Sequence, residues 1–187
     1  LNLCVRNLEN ISDFDHVNNN TLLADVCLAA LHEGVLISAD HARYKETNND
    51  VNANICTMLA RSFADIGDIV RGKDLYRGVN GNDKLENNLK TIFGKIHDDV
   101  MSTSEKRSAL QTRYQDDPNK NYYQLREDWW EANRKEVWTA ITRKAYGTYF
   151  RATCGTGESP HVTPSQCRCA ANLYPPTFLD YVPHYLR

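Results

Sequence analysis

The sequence predicts an all-α fold, a helical bundle with long loops and disulfides. Three observations carry that expectation. Apolar residues recur at steps of three and four over four separate stretches, which is the period of an amphipathic helix. No run alternates apolar and polar residues as a half-buried strand does. Six cysteines occur in 187 residues without a zinc-like spacing, which favours disulfides in an oxidising compartment over metal or redox chemistry. There is no internal repeat and no low-complexity tract. The intervening loops are longer than those of simple bundles, and long loops on a rigid frame suit a binding protein.

In chain order, residues 1–21 read as irregular. A first helix is expected over 22–37, with Thr21 as its cap and Leu22, Leu23, Val26, Cys27, Ala30 and Leu31 as its buried face. Residues 38–53 are polar and Asn-rich and read as a solvated loop. The stretch 54–71 is the most regular. Ile55, Met58, Leu59, Phe63, Ile66, Ile69 and Val70 form one stripe, Asn54 caps its start and Gly72 stops it. Asp65 and Asp68 beside Arg61 and Arg71 read as its solvated outer face. A glycine-rich turn follows over 72–81. Arg71, Lys73 and Arg77 lie in or beside it, but no strand precedes it and the order does not fit a phosphate-binding loop.

A third helix is expected over 82–101, where Leu85, Leu89, Ile92, Phe93, Ile96 and Val100 share a face and Lys84, Lys90 and Lys95 lie mostly off it. Ser102 and Glu105 resemble a capping box for a short helix over 104–114, and residues 116–121 are a break. The helix over 123–146 is the most aromatic: Trp130, Val137 and Ile141 share a face that Leu125, Trp129, Trp138 and Ala145 widen. Burial of each tryptophan is worth roughly 2–3 kcal/mol, so this helix anchors the core. Residues 152–172 form a Gly/Ser/Thr/Pro/Cys loop, and residues 173–187 begin extended because Pro175, Pro176 and Pro183 break helices.

The length suits one core, hence one domain or a large piece of one. No apolar run approaches a membrane span and no signal-peptide pattern opens the chain. Its abrupt start at Leu1 and stop at Arg187 read as cuts from a longer protein. Net charge is −2, but residues 1–60 carry three Lys/Arg against eight Asp/Glu and residues 61–187 nineteen against sixteen. That basic bias suits an anionic partner such as a sulfated glycan, although an ordinary solvated surface accounts for it as well.

The chain carries no catalytic motif. Its histidines are scattered, and it contains no H-E-x-x-H, G-x-S-x-G or Cys-x-x-Cys. His97 with Asp98 and Asp99 does not place two acids on one side of a helix. Glu127 and Asp128 beside Trp129 and Trp130 read as acids favoured by a helix N-terminus. No enzyme activity, metal or cofactor is expected.

Four ordered blocks carry a resemblance: LLADVCLAA from Leu22, ARSFADIGDIVRGKDLY from Ala60, LREDWWEANRKEVWTAIT from Leu125 and DYVPHYLR from Asp180. Together they resemble the Duffy-binding-like domains of malaria parasites, and within them the alpha class at the head of the variant Plasmodium falciparum erythrocyte membrane protein 1 adhesins. The resemblance implies one partial Duffy-binding-like domain over 1–187: N-terminal loops and first helix (1–53), helical core (54–151), and a cysteine-containing loop leading into a further subdomain (152–187) that is missing. A helix is implied to start near Pro183. It also implies a parasite in which N-glycosylation is scant, so the sequons at Asn10 and Asn19 read as unused.

The implied function is adhesion from the extracellular face of an infected red cell, as part of a membrane-anchored antigen. The partners are host receptors or glycans, including heparan-sulfate-like chains and blood-group sugars, and a neighbouring cysteine-rich domain of the same adhesin. The alternative is a structural or antigenic scaffold whose neighbour binds. From charge pattern alone, the contact candidates are Lys84, Lys90 and Lys95; Arg71, Lys73 and Arg77; and Arg134, Lys135, Arg143 and Lys144. The disulfide candidates are Cys4, Cys27, Cys56, Cys154, Cys167 and Cys169. Their pairing stays open, because the family pattern often has a cysteine where this chain has Arg143.

Overall fold

The computed structural model describes residues 3–47, 54–73, 84–103, 107–114, 118–148, 154, 160–169 and 175–187. Six α-helices order the described residues: α1 (Arg6–Glu9), α2 (Asn19–Thr47), α3 (Ile55–Arg71), α4 (Lys84–Thr103), α5 (Arg107–Arg113) and α6 (Tyr123–Ile141). Short 3-10 turns lie at Phe14–His16, Leu179–Tyr181 and His184–Leu186. No strand forms among the described residues, where β pairing is limited to isolated bridges such as Cys154 with His161.

Helix α3 is the axis, and its ends are those the sequence marks. The Asn54 side chain accepts from the N–H groups of Cys56 and Thr57, and Gly72 closes the helix in the left-handed conformation at φ 73°. Its stripe packs on α2, on α6 and on the C-terminal turn at 179–181. Phe63 meets Trp130 and Trp138 with ring centroids 5.1 and 5.2 Å apart. Met58 is the exception, remaining exposed.

Several expected boundaries move. Helix α2 continues through ten residues expected to be loop. No Pro or Gly interrupts 38–47, Ser38 returns its hydroxyl to the Gly34 carbonyl, and His41 is buried. Its cap is Asn18 rather than Thr21: the Asn18 Oδ1 accepts from the Asn20 and Thr21 N–H groups, while the Thr21 hydroxyl accepts from the Asn18 N–H. Contrary to expectation, α2 is long enough to match a membrane span and contains an 18-residue window with a mean hydropathy of 1.7. It nevertheless packs as a core helix, and its buried Glu33 accepts from Ser62 and from the Cys4 N–H.

Ser102 belongs to α4 and donates to the Asp99 carbonyl, so it does not start the next helix; Glu105 lies outside the described residues. Helix α6 ends at Ile141, five residues early, as the Thr142 hydroxyl turns back onto the Trp138 carbonyl. The irregular N-terminus contains α1, whose Leu8 is buried. The Asn88 amide pins it by donating to the carbonyls of Leu8, Glu9 and Ile11. Near Pro183 the chain makes only the 3-10 turn at 184–186.

Helices α2 and α6 touch at Gly34, where a β-carbon would lie 1.9 Å from the Ile141 carbonyl oxygen. Two disulfides add covalent ties. Cys56–Cys167 ties the first turn of α3 to the late loop, and Cys154–Cys169 closes that loop on itself. In the chain-entropy view the longer link is worth on the order of 4–5 kcal/mol. Cys4 and Cys27, expected as disulfide partners, are free thiols here.

Candidate binding surface

Three segments distant in sequence converge on the C-terminal half of α3. Asp65, Asp68 and Arg71 follow one another at spacing three and share a face. Arg126, Trp130 and Arg134 do the same at spacing four along α6. Asp180 and Arg187 come from the C-terminal segment. Asp180 accepts two bonds from Arg134, at 2.7 and 2.8 Å, and a third from the Trp130 indole at 2.9 Å. Its carbonyl accepts from Arg71, which also binds Asp68 at 3.0 Å. Arg187 bridges Asp68 and Asp65. Glu127 closes the set by pairing with Lys73 and, at 3.6 Å, with Arg71.

The network therefore holds Asp65, Asp68, Glu127 and Asp180 against Arg71, Lys73, Arg134 and Arg187. The charges cancel, and the guanidinium groups are further covered by rings. Arg71 lies over Trp130 and Tyr181, and Arg134 over Phe63, Phe178 and Tyr181. Burial pushes the Asp68 carboxyl upward, and its Arg187 and Arg71 partners oppose that shift. Beside this set, the fully buried Arg126 binds Glu86 in a fork at 2.8 and 2.9 Å. It also donates to the Ile69 carbonyl, which already takes the Gly72 N–H, and to the Val70 carbonyl at the end of α3. The expected solvated outer face at Asp68 and Arg71 is thus the seam of the fold.

This placement sorts the candidate cations. Arg71 and Arg134 are corrected from surface contacts to internal ones: both are buried, and each is matched by carboxylates. Lys73 is half-exposed but committed to Glu127. Arg77 lies outside the described residues. On α4, Lys95 pairs with Asp15 at 2.8 Å, while Lys84 and Lys90 have no ion pair among the described residues. At about 100° per residue, Lys84 and Lys95 stand on one edge of α4 and Lys90 on the other. Lys135, Arg143 and Lys144 are exposed around the C-terminal half of α6, likewise without ion pairs among the described residues. The candidates do not form one continuous stripe.

Sequence reasoning passed over Arg126, Asp180 and Arg187. Arg126 and Arg134 lie four residues to either side of Trp130, so their address on the apolar stripe was available; Asp180 and Arg187 had no local signal. The acids at the start of α6 are structural as well. Asp128 accepts from Arg113 at 2.6 and 2.7 Å, from Tyr114 and from Gln124, and the Arg113 bond, ahead of those from Tyr114 and Gln124, holds its carboxyl below the usual carboxylate range. Among the described residues no group of three metal-ligating side chains occurs.

Known proteins match the chain in sequence and in fold. The sequence model of the Duffy binding domain matches residues 1–187. The Duffy receptor of Plasmodium vivax (strain Salvador I) is 28% identical over 113 residues, 60% of this chain and 8% of that protein. Among solved structures, the NTS-DBL1(alpha-1) domain of the Plasmodium falciparum membrane protein 1 (PfEMP1) from the varO strain is 38% identical. Its TM-score is 0.71, and the match covers 98% of this chain and 39% of that one. A double domain of the same strain, NTS-DBL1-alpha with CIDR-gamma, matches at 39% identity and TM-score 0.67 over 88% of this chain and 22% of its own. The PfEMP1 IT4var13 DBLbeta domain bound to ICAM-1 matches at 32% identity and TM-score 0.62 over 98% and 40%. The chain spans well under half the length of each of these proteins.

Proposed function

The chain belongs to the Duffy binding domain family, and from that premise we propose that it is a host-cell adhesion module of a variant surface antigen. It acts from the extracellular face of the infected erythrocyte, beside a cysteine-rich neighbouring domain, in cytoadherence or rosetting. Its ligands are a host receptor or a glycan, with heparan-sulfate-like chains and blood-group sugars as the glycan classes. Binding, not catalysis, is the whole of its chemistry. A relative of the same fold is bound to ICAM-1, and another shares its chain with a CIDR-gamma domain.

The observation that carries the reading is the division of the cations. The buried ones are neutralised in pairs, whereas Lys84, Lys90, Lys135, Arg143 and Lys144 are left without ion pairs among the described residues. Cations held on or just beyond rigid helices, with no ion-pair partner among the described residues, suit sulfate or carboxylate groups. Retention of the oxidised chain on immobilised heparin across a salt series tests it. Retention that falls steeply with salt is expected, with further loss on reversing Lys84 and Lys90, or Lys135, Arg143 and Lys144. No retention at low salt removes the sulfated-glycan mechanism and leaves a protein receptor, a blood-group sugar or a scaffold role.

One observation favours the scaffold reading. Three of the four blocks that resemble the family meet in the buried network through Asp68, Arg71, Arg134 and Asp180. They report the frame, and a frame does not fix a ligand. A chain that retains neither heparin nor receptor-bearing cells, while its covalently linked neighbour does, establishes the scaffold role.

A further inference from the structure

The geometry points to a second binding element, outside the three cationic clusters: a groove between the C-terminal half of α4, α5 and the start of α6, suited to an anionic sugar bearing a carboxylate or a sulfate. It rests on the adhesion reading for its biological role, but its chemistry can be tested separately. The groove has a volume of about 840 Å3 and is lined by residues that include His97, Arg113, Lys120, Tyr122 and Tyr123, a size within the range of small-molecule sites.

The backbone turn that builds it is costly. Lys120 and Tyr122, with one residue between them, both adopt the left-handed conformation, at φ 49° and 54°. Bulky non-glycine residues rarely do so. The turn sets the Tyr122 ring against His97, with centroids 5.4 Å apart, and launches α6 with no side-chain cap. Tyr123 follows it on the groove lining and is exposed.

The lining carries two cations, of which Arg113 is paired with Asp128. Arg113 gives Nε and Nη2 to Asp128, which fixes the plane of its guanidinium and leaves Nη1 without a bond among the described residues. The Lys120 ammonium has no ion pair among the described residues. The acid on the lining, Asp98, lies 3.5 Å from His97 Nδ1. The groove thus offers an oriented guanidinium edge, an uncommitted ammonium and tyrosine faces. A pyranose can lay its apolar face on a tyrosine ring while its anionic substituent meets Lys120 and Arg113. A simple anion would use the cations and leave the rings unoccupied.

The test is amide NMR of the intact oxidised chain titrated with a fully sulfated heparin disaccharide, with sialyllactose and, as the neutral control, with lactose. Shifts at His97, Lys120, Tyr122 and Tyr123 are expected with one or both charged sugars and not with lactose. Which charged sugar acts identifies a sulfate or a carboxylate source. Lys120→Asn removes the cation but keeps a residue that tolerates the left-handed turn. It is expected to weaken binding about tenfold. Tyr123→Ala is expected to weaken it independently of salt.

Unchanged affinity in both variants, or shifts confined to Lys84, Lys90, Lys135, Arg143 and Lys144, overturns the groove. If heparin retention disappears on reversing Lys84 and Lys90 but survives Lys120→Asn, the groove falls and the adhesion reading stands. If sialyllactose shifts the groove while heparin is not retained at all, the groove stands and sulfated-glycan adhesion falls.

Discussion

Arg134 and Asp180 are 46 residues apart in sequence and face each other in a two-pronged bond inside the fold, at 2.7 and 2.8 Å. The pair joins the most aromatic helix to the C-terminal segment. Arg134→Ala strands a buried carboxylate that keeps only the Trp130 indole as a side-chain partner. A loss of about 3–5 kcal/mol is expected, read from the midpoint of urea unfolding. The same substitution at the exposed Lys135 is expected to change stability by less than about 0.5 kcal/mol. Equal effects at the two positions would show that the pair does not hold the seam.

Gly34 sets how closely α2 and α6 approach. A β-carbon would meet backbone at 1.9 Å, and backbone cannot rotate away as a side chain can. Gly34→Ala is therefore expected to cost about 3 kcal/mol or more. Val35→Ala, on the exposed side of the same helix, should leave the unfolding midpoint nearly unmoved.

Neither free thiol is set up to react. Burial, with Glu136 adding to it, pushes the Cys27 thiol up to about 11. Burial and Glu33 raise Cys4 in the same direction. Only thiolate reacts with a disulfide reagent, so the folded chain should label slowly at neutral pH and the urea-unfolded, unreduced chain should release two thiols promptly. Four thiols in the unreduced chain would mean that one of the two disulfides had not formed.

The Asp128 cluster should give an acid-side slope to stability. Arg113, ahead of Tyr114 and Gln124, holds the folded carboxyl below its ordinary value. An unfolded aspartate titrates near about 3.9. The contribution is therefore present above that pH and is lost as pH falls through the lower folded value. Arg113 is largely exposed, so the slope is expected to be modest and to shrink with salt. Unfolding midpoints between pH 5 and pH 2 should fall more steeply in the parent chain than in Asp128→Asn; parallel curves would remove Asp128 from the account.

The helical frame was legible because it rests on local rules. Asn54, the apolar period and Gly72 fix α3 from neighbouring residues alone. The end of α2 was not, since a polar run reads as loop until a tertiary contact, here around buried His41, extends the helix. The cations show the same division more sharply. Lys84 and Lys135 were legible as surface. Arg134 was misplaced because its charge was weighed ahead of its spacing from Trp130. Asp180, which makes that burial tolerable, carries no mark of its partner in its own neighbourhood. The groove at Lys120 and Tyr122 depends on two left-handed backbone conformations that residue type argues against.

The disulfide between Cys56 and Cys167 has a mechanical meaning. A pull applied to the two ends of the chain passes from Cys56 directly to Cys167 through a covalent bond. The residues between them, 57–166, lie off that line of force. At about 3.4 Å per residue they represent on the order of 370 Å of contour that tension cannot draw out. Helices α4, α5 and α6, with Lys84, Lys90, Lys135 and the groove, all belong to that shielded length. Tension applied before Cys56 and after Cys167 would draw out none of that length until the sulfur bridge itself broke.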